Sequence, residues 1–438
     1  MWLGSATSNM AARTQLRSKA CQHKGKLNPQ TLFLDSEPRL EKTDILVVGA
    51  GIIGLSVARE LKLKWPDQKV LILEKEPDVA MHASGRNSGV IHAGFYYHPD
   101  SLKARLTNVG NKQLIQFCED HKIKVNRCGK LVVASSPKEL EVLDELYRRG
   151  SANGVSLQMV SDQEARKIEP RVRTFNRAIY SPDTSSVDPV TVTRKMAEEC
   201  ENLGISLVTG ESFQAGEEQN ASVRVRTSAK VISAGLLINA AGLYADKIAH
   251  EFGAGMKYQM QPFKGLYLYA NDSFGELRTH VYPVPDMRNP FLGVHFTVTV
   301  DGRIKIGPTV TPALWREQYG WREGFSLDEF IETSTGLVKL LSKPKSTIRR
   351  TAAVEMSRYA RTLLIKQAAN LIPGITTSQF DKWGKPGIRA QLIDSTDMTL
   401  VNDFLIEKTR RTMHILNAVS PAFTASLPFA SLAVDELN

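Results

Sequence analysis

"DILVVGAGIIGLSVARE", Asp44 to Glu60, is the stretch that decides the fold. Ile45 to Val48 is apolar and rich in β-branched residues, the composition of a strand buried on both faces. Gly49, Gly51 and Gly54 follow as G-x-G-x-x-G, and the chain turns at once into a helical pattern. The first glycine permits a tight turn, the second lets backbone approach a pyrophosphate, and the third lets helix and strand pack closely. The N-terminus of such a helix offers N–H groups and partial positive charge to phosphate. A second apolar run, Val70 to Leu73, ends in Glu74, which lies 20 residues after Gly54. An acid there hydrogen-bonds a ribose hydroxyl and repels a 2′-phosphate. Strand, glycines, helix, strand and acid in register predict a dinucleotide-binding unit.

The chain has 438 residues, enough for two or three domains, and no apolar run approaches the roughly 18–20 residues of a membrane-spanning helix. Its net charge is +10. Five of those charges (Arg13, Arg17, Lys19, Lys24, Lys26) fall in residues 1–34 without a single acid, leaving +5 for the remainder. Such a start has the composition of a mitochondrial transit segment, so residues 1–40 are set apart from the fold. The remainder carries no basic run interleaved with aromatics, which excludes a nucleic-acid partner. Cys21, Cys118, Cys128 and Cys200 form no C-x-x-C pair, so neither a metal site nor a disulfide framework is expected.

Two further stretches bear on the choice between NAD and FAD, which share an ADP half. "HASGRNSGVIHAGFYYHPDSLKA", His82 to Ala104, opens with small and polar residues that let backbone come close to a flat, extended ligand. "LLINAAGLYADKIA", Leu236 to Ala249, reads as strand, tight turn at Ala240–Gly242, and helix. A long cofactor touched from several directions fits FAD better than NAD.

These stretches, with "PGIRAQL" at Pro386–Leu392, resemble the D-amino-acid oxidase and glycine oxidase superfamily of FAD enzymes. "NSGVIHAGFYYHPDSLKARL", "CGKLVVA", "NPFLGVHFT" and "HILNAVSPAFTASL" resemble, more narrowly, the L-2-hydroxyglutarate dehydrogenases. The resemblance implies an α/β chain, α+β overall, with a Rossmann-like FAD-binding domain and a discontinuous substrate domain built on an antiparallel sheet. The FAD-binding domain would comprise 41–95, 180–255 and 375–438, and the substrate domain 96–179 and 256–374. It implies FAD contacts from Gly49, Gly51, Gly54, Glu74, Ser88, Gly89, Gly242 and Ser420, oxidation of a dicarboxylate hydroxy acid, and a mitochondrial address. Two departures stand out. "PFKGLY" places Lys264 where the family usually has arginine, and Pro428 falls inside the expected terminal helix, where it should kink the chain.

Oxidising a secondary alcohol moves a hydride to the flavin while the hydroxyl proton leaves, and a positioned base contributes ~10²–10⁴-fold to such a step. Histidine suits this because it titrates near neutral pH. His295, on a strand of the substrate domain, is the expected base. His92, which follows the loop beside the flavin, is the second candidate. The resemblance assigns Arg389 to the α-carboxylate, which its planar fork can grip bidentately. Tyr96, Tyr97, Lys103, Arg105 and Lys264 are candidates for the distal carboxylate. No second redox motif is visible, so electrons must pass to an external acceptor, oxygen or a membrane quinone. A quinone would require peripheral contact with a membrane surface. An amino-acid oxidase of the same fold and a flavin-binding scaffold without turnover are the rival readings.

Overall fold

The computed structural model describes residues 40–286, 293–342 and 360–437. The transit segment, apart from Leu40, lies outside them, as does the Asn289–Leu292 part of "NPFLGVHFT". The glycine motif produces what its spacing predicts. Strand Leu40–Val48 leads through the Gly49–Gly51 turn into helix Ile52–Lys64, and strand Val70–Leu73 ends at Glu74. Parallel partners extend the sheet in the order 412–417, 231–239, 40–48, 70–73, 206–208, and strand 405–408 pairs antiparallel with 412–417 at its edge. Side chains alternate between its faces. Ile45 and Val47 pack with the helices, and Leu46 and Val48 with Val223, Val225 and Ile248.

Register is what makes the site. Val48 lies beside Leu73 on one side and Asn239 on the other. The turns that follow these residues therefore open on the same edge: Gly49 N–H donates to Leu73 O at 2.8 Å and Ala240 N–H to Val48 O at 2.9 Å. The crossing is tight. A Cβ on Gly49 would lie 2.6 Å from Ala240 O, and one on Gly54 would lie 1.9 Å from Gly49 O.

A second eight-stranded sheet runs 380–383, 268–270, 304–307, 295–298, 280–283, 130–133, 177–181, 158–161. It is antiparallel, as expected, except that His280–Pro283 runs parallel to Lys130–Val133 and sets Lys130 beside His280. A third, four-stranded sheet pairs Tyr258–Gly265 with Gly387–Asp394 and places Arg389 opposite Phe263. Helix Leu102–Asp120 contributes Leu114, Ile115, Phe117 and Cys118 to the cluster around the first helix. Pro428 does not kink the terminal helix. That helix starts at Ser426, so the proline sits in the first turn, where a backbone N–H has no intrahelical acceptor. Among the described residues no helix is long and apolar enough to cross a membrane.

Behind the Gly242 turn, helix Ala245–Glu251 is tied to helix Leu327–Ser342 through the fully buried Arg316. Its guanidinium donates to Asp246 at 2.6 and 2.9 Å and to Glu332 at 2.7 Å. The turn is thus held by charge-assisted bonds on the side away from the sheet.

Gly54→Ala should lower stability by about 3 kcal/mol, because its Cβ would meet backbone and not a side chain that can rotate away. Thermal unfolding checks it, and a variant as stable as wild type would mean that helix and strand have room to separate.

Candidate active site

One cavity of about 1620 Å³ runs along the carboxyl edge of the first sheet and on into the second. Drug-sized ligands occupy pockets of ~300–1,000 Å³, so this one suits a dinucleotide together with a small substrate. Its first half is walled by Gly49, Gly51 and Ile52, by Glu74, and by Gly242. Gly51, which has no side chain, stands at the N-cap of the helix, and Ser84 Oγ accepts the Ile52 N–H at 2.8 Å. Glu74 accepts Ala50 N–H at 2.8 Å and Glu76 N–H at 3.0 Å, which fixes its carboxylate at the turn. Gly242 has φ +56°, and a Cβ there would meet nothing within 4 Å, so the cavity passes close to bare backbone. Turn, acid and open backbone together match the ADP half of FAD.

The loop 82–88 crosses next. Its own side chains hold it, with Asn87 Oδ1 accepting Gly89 N–H at 2.8 Å and Asn87 Nδ2 donating to Ser84 O at 2.9 Å. Gly387 lets it lie against the strand of Arg389, since a Cβ there would sit 2.3 Å from Arg86 O.

The second half of the cavity is walled by His92, Tyr96, Tyr267, Tyr282, His295 and Arg389. His295 Nδ1 lies 2.8 Å from Gly293 O. A carbonyl only accepts, so the proton is on Nδ1 and Nε2 keeps its lone pair. Tyr282 stacks on the imidazole with centroids 3.8 Å apart and planes at 17°. Burial, reinforced by Lys130, Arg389 and Lys305, pulls the His295 pKa down to about 3. Burial does the same to His92, with Lys130 and His295 adding to it. Both imidazoles are therefore neutral near pH 7.

Lys103, Tyr97 and Ser420 also line the cavity. The Lys103 stem is buried at the start of helix Leu102–Asp120, and burial brings its pKa down to about 8 although Asp403 opposes the shift. Three candidates stand apart. Lys264 is not among the wall residues: it lies opposite Ile388, not Arg389, and its ammonium donates to Tyr319 O at 2.8 Å. Gly89 is also outside the wall. Its φ of +75° and its closeness to Val187 O, 2.4 Å from a would-be Cβ, serve the backbone crossing. Arg105 points to solvent.

Two buried lysines were not legible in the sequence. Lys305 Nζ donates to Ser88 O at 3.0 Å and lies 4.5 Å from the Tyr267 ring, and burial lowers its pKa to about 8. Lys130 is fully buried behind Tyr96 and Tyr282. Alternation in "RIKIG" or "GKLVV" assigns a lysine to the wet face of a strand, but this sheet is covered on both sides. Among the described residues the set nearest to a metal site is Glu76, His82 and Glu317, and there the Lys75 ammonium, 2.6 Å from Glu317, already supplies the positive charge.

Comparison with known proteins agrees with this geometry. Residues 44–436 match the family model described as FAD dependent oxidoreductase. The chain belongs to this family. It is 36% identical to mitochondrial L-2-hydroxyglutarate dehydrogenase of Nematostella vectensis, over 90% of this chain and 90% of that protein. It is 36% identical to the human mitochondrial enzyme of that name, over 90% and 88%, and 33% identical to L-2-hydroxyglutarate dehydrogenase of Escherichia coli K12, over 90% and 93%. Among solved structures, L-alpha-glycerophosphate oxidase from Mycoplasma pneumoniae superposes with a TM-score of 0.73 at 24% identity, covering 91% of this chain and 95% of that one. Glycine oxidase from Geobacillus kaustophilus gives 0.66 at 19%, covering 91% and 94%. These two likenesses establish the fold.

Buried neutral histidines make stability depend on pH. His295 and the fully buried His414, whose pKa burial lowers to about 4, take up no proton in the folded state at pH 5. An unfolded histidine titrates near ~6.5. Their contribution is thus complete above that pH and is lost as pH falls towards the folded values. The melting temperature should drop between about pH 6.5 and 4, and His295→Gln should drop less steeply. An identical slope in the variant would show that His295 does not titrate on unfolding.

Proposed function

We propose that the protein oxidises L-2-hydroxyglutarate to 2-oxoglutarate with FAD, and that the electrons then leave to an external acceptor. The observation that carries this reading is the single cavity running from the Gly49–Gly51 turn to His295 and Arg389, in a chain whose relatives are named for this substrate. Bound FAD supplies the hydride acceptor. The Gly49–Gly51 turn and the helix behind it would hold its pyrophosphate, Glu74 a ribose, and Ser88, Gly242 and Ser420 would border the rest of the cofactor.

Arg389 grips one carboxylate through its fork, and Tyr96 and Lys103 border the place of the other. His295 Nε2, kept unprotonated by the Nδ1–H bond to Gly293, takes the hydroxyl proton. The negative charge of the bound acid raises the His295 pKa from about 3 towards a useful value. His92 is the second reading for the base, because it lines the same cavity directly after the loop 82–88. The division into an FAD-binding domain (41–95, 180–255, 375–438) and a substrate domain (96–179, 256–374) belongs to the same proposal, as does a mitochondrial address carried by the basic, acid-free residues 1–34.

Anaerobic titration with both enantiomers of 2-hydroxyglutarate tests the function. The L form should bleach the flavin band and the D form, glycine, sarcosine and D-amino acids should not. Bleaching by the amino acids instead would establish an amino-acid oxidase, and none at all a scaffold. His295→Gln should lower kcat about a hundredfold with FAD still bound. Full turnover in that variant, with loss in His92→Gln, moves the base to His92. Arg389→Ala should raise KM by an amount worth ~2–5 kcal/mol, and a change below about tenfold would remove Arg389 from the substrate.

A further inference from the structure

Lys130 is a buried charge beside the cavity that no hydrogen bond among the described residues accounts for. It opens the strand Lys130–Val133 and is 0% exposed. Its Nζ has no hydrogen-bond partner among the described residues. Three rings box it in, Tyr282 at 4.6 Å and Phe95 and Tyr96 at 5.0 Å each. Tyr282 carries His295 stacked on its ring, and Tyr96 and Tyr282 both wall the cavity. The ammonium therefore lies behind two of the rings that wall the cavity. Cation–π contact offsets only part of the cost of burying a charge. An anion brought into the cavity that those rings wall offsets more, since opposite charges attract strongly where water is excluded.

We propose that Lys130 is a positioning residue that supplies the counter-charge for the second carboxylate of the substrate, acting through the rings of Tyr96 and Tyr282 without touching it. This rests on the function proposed above and makes the site selective for a dianion over a monoanion. Arg389 contacts one carboxylate, and Lys130 shares with Lys103 the balancing of the charge that Arg389 leaves over.

The groups packed around Lys130 leave its charge readable. On its own strand lead is Cys128, whose thiol burial pushes up to about 11. On the flanking strands are Tyr180, which burial raises, and His280, which burial lowers. His92 and His295 are held down near 3, and Tyr96 and Tyr282 are raised by burial. Before the acid binds, none of these changes charge between pH 6 and 9. Lys130, lowered by burial to about 7, does. The response of His295 to binding is shared by wild type and variants. Lys103 and Lys305 titrate near 8 beside the same cavity, so the comparison of variants carries the test and not the wild-type profile alone.

Calorimetry of the FAD-loaded full chain with 2-oxoglutarate and with 2-oxobutyrate, at pH 6 and pH 9, compares wild type, Lys130→Met and Lys130→Arg. Lys130→Met should bind 2-oxoglutarate about tenfold more weakly than wild type at pH 6 and equally at pH 9, while 2-oxobutyrate changes far less. Lys130→Arg, whose charge does not titrate, should bind 2-oxoglutarate more tightly than wild type at pH 9. Unchanged affinity of Lys130→Met at pH 6, or equal losses for the two acids, overturns the proposal in favour of a purely structural lysine. Should Lys130→Met fail to hold flavin, Lys130→Arg against wild type at pH 9 decides, and equal affinity overturns it. Wild type that binds 2-oxoglutarate but never oxidises L-2-hydroxyglutarate refutes the proposed function and leaves the Lys130 comparison intact.

Discussion

The structure depends on the register of three parallel strands. Because Val48, Leu73 and Asn239 lie side by side, the turns after them share one edge, and residues far apart in the chain face a common space. The closeness is possible only where side chains are missing, as at Gly49 and Gly54. Everything that approaches the cavity afterwards is referred to that edge. The loop 82–88 lies over it, the Gly387 strand brings Arg389 to it, and the buried Arg316 braces the Gly242 turn from behind.

The second half of the site is governed by desolvation. His92, His295, Lys103, Lys130 and Lys305 all have their charged forms disfavoured by burial, and the cations depress the histidines further. Under the function proposed above, an entering acid would give these cations a partner and make His295 easier to protonate, which would link binding to proton acceptance through one electrostatic balance.

The aromatic wall gives that balance its geometry. Tyr282 lies between Lys130 and His295, stacked on the imidazole and 4.6 Å from the ammonium. The parallel pairing of Lys130–Val133 with His280–Pro283, the exception in an otherwise antiparallel sheet, is what sets these side chains next to each other.

The glycine motif, the strand and helix around it, and Glu74 could be read from the sequence, because each is a local pattern with a local cause. The stretches His82–Ala104, Leu236–Ala249 and Pro386–Leu392 carried the family resemblance, and the last of them Arg389. The position of Lys264 was not legible: adjacent in sequence to residues of the cavity wall, it lies opposite Ile388 and bonds to Tyr319 O. Lys130 and Lys305 were invisible, since a lysine in a strand reads as a solvated one, and nothing local records that a second layer covers it. Sequence by itself thus determined the nucleotide edge and the family. Tertiary structure alone decided which charges are stripped of water, because burial is a property of what packs over a residue and not of its neighbours in the chain.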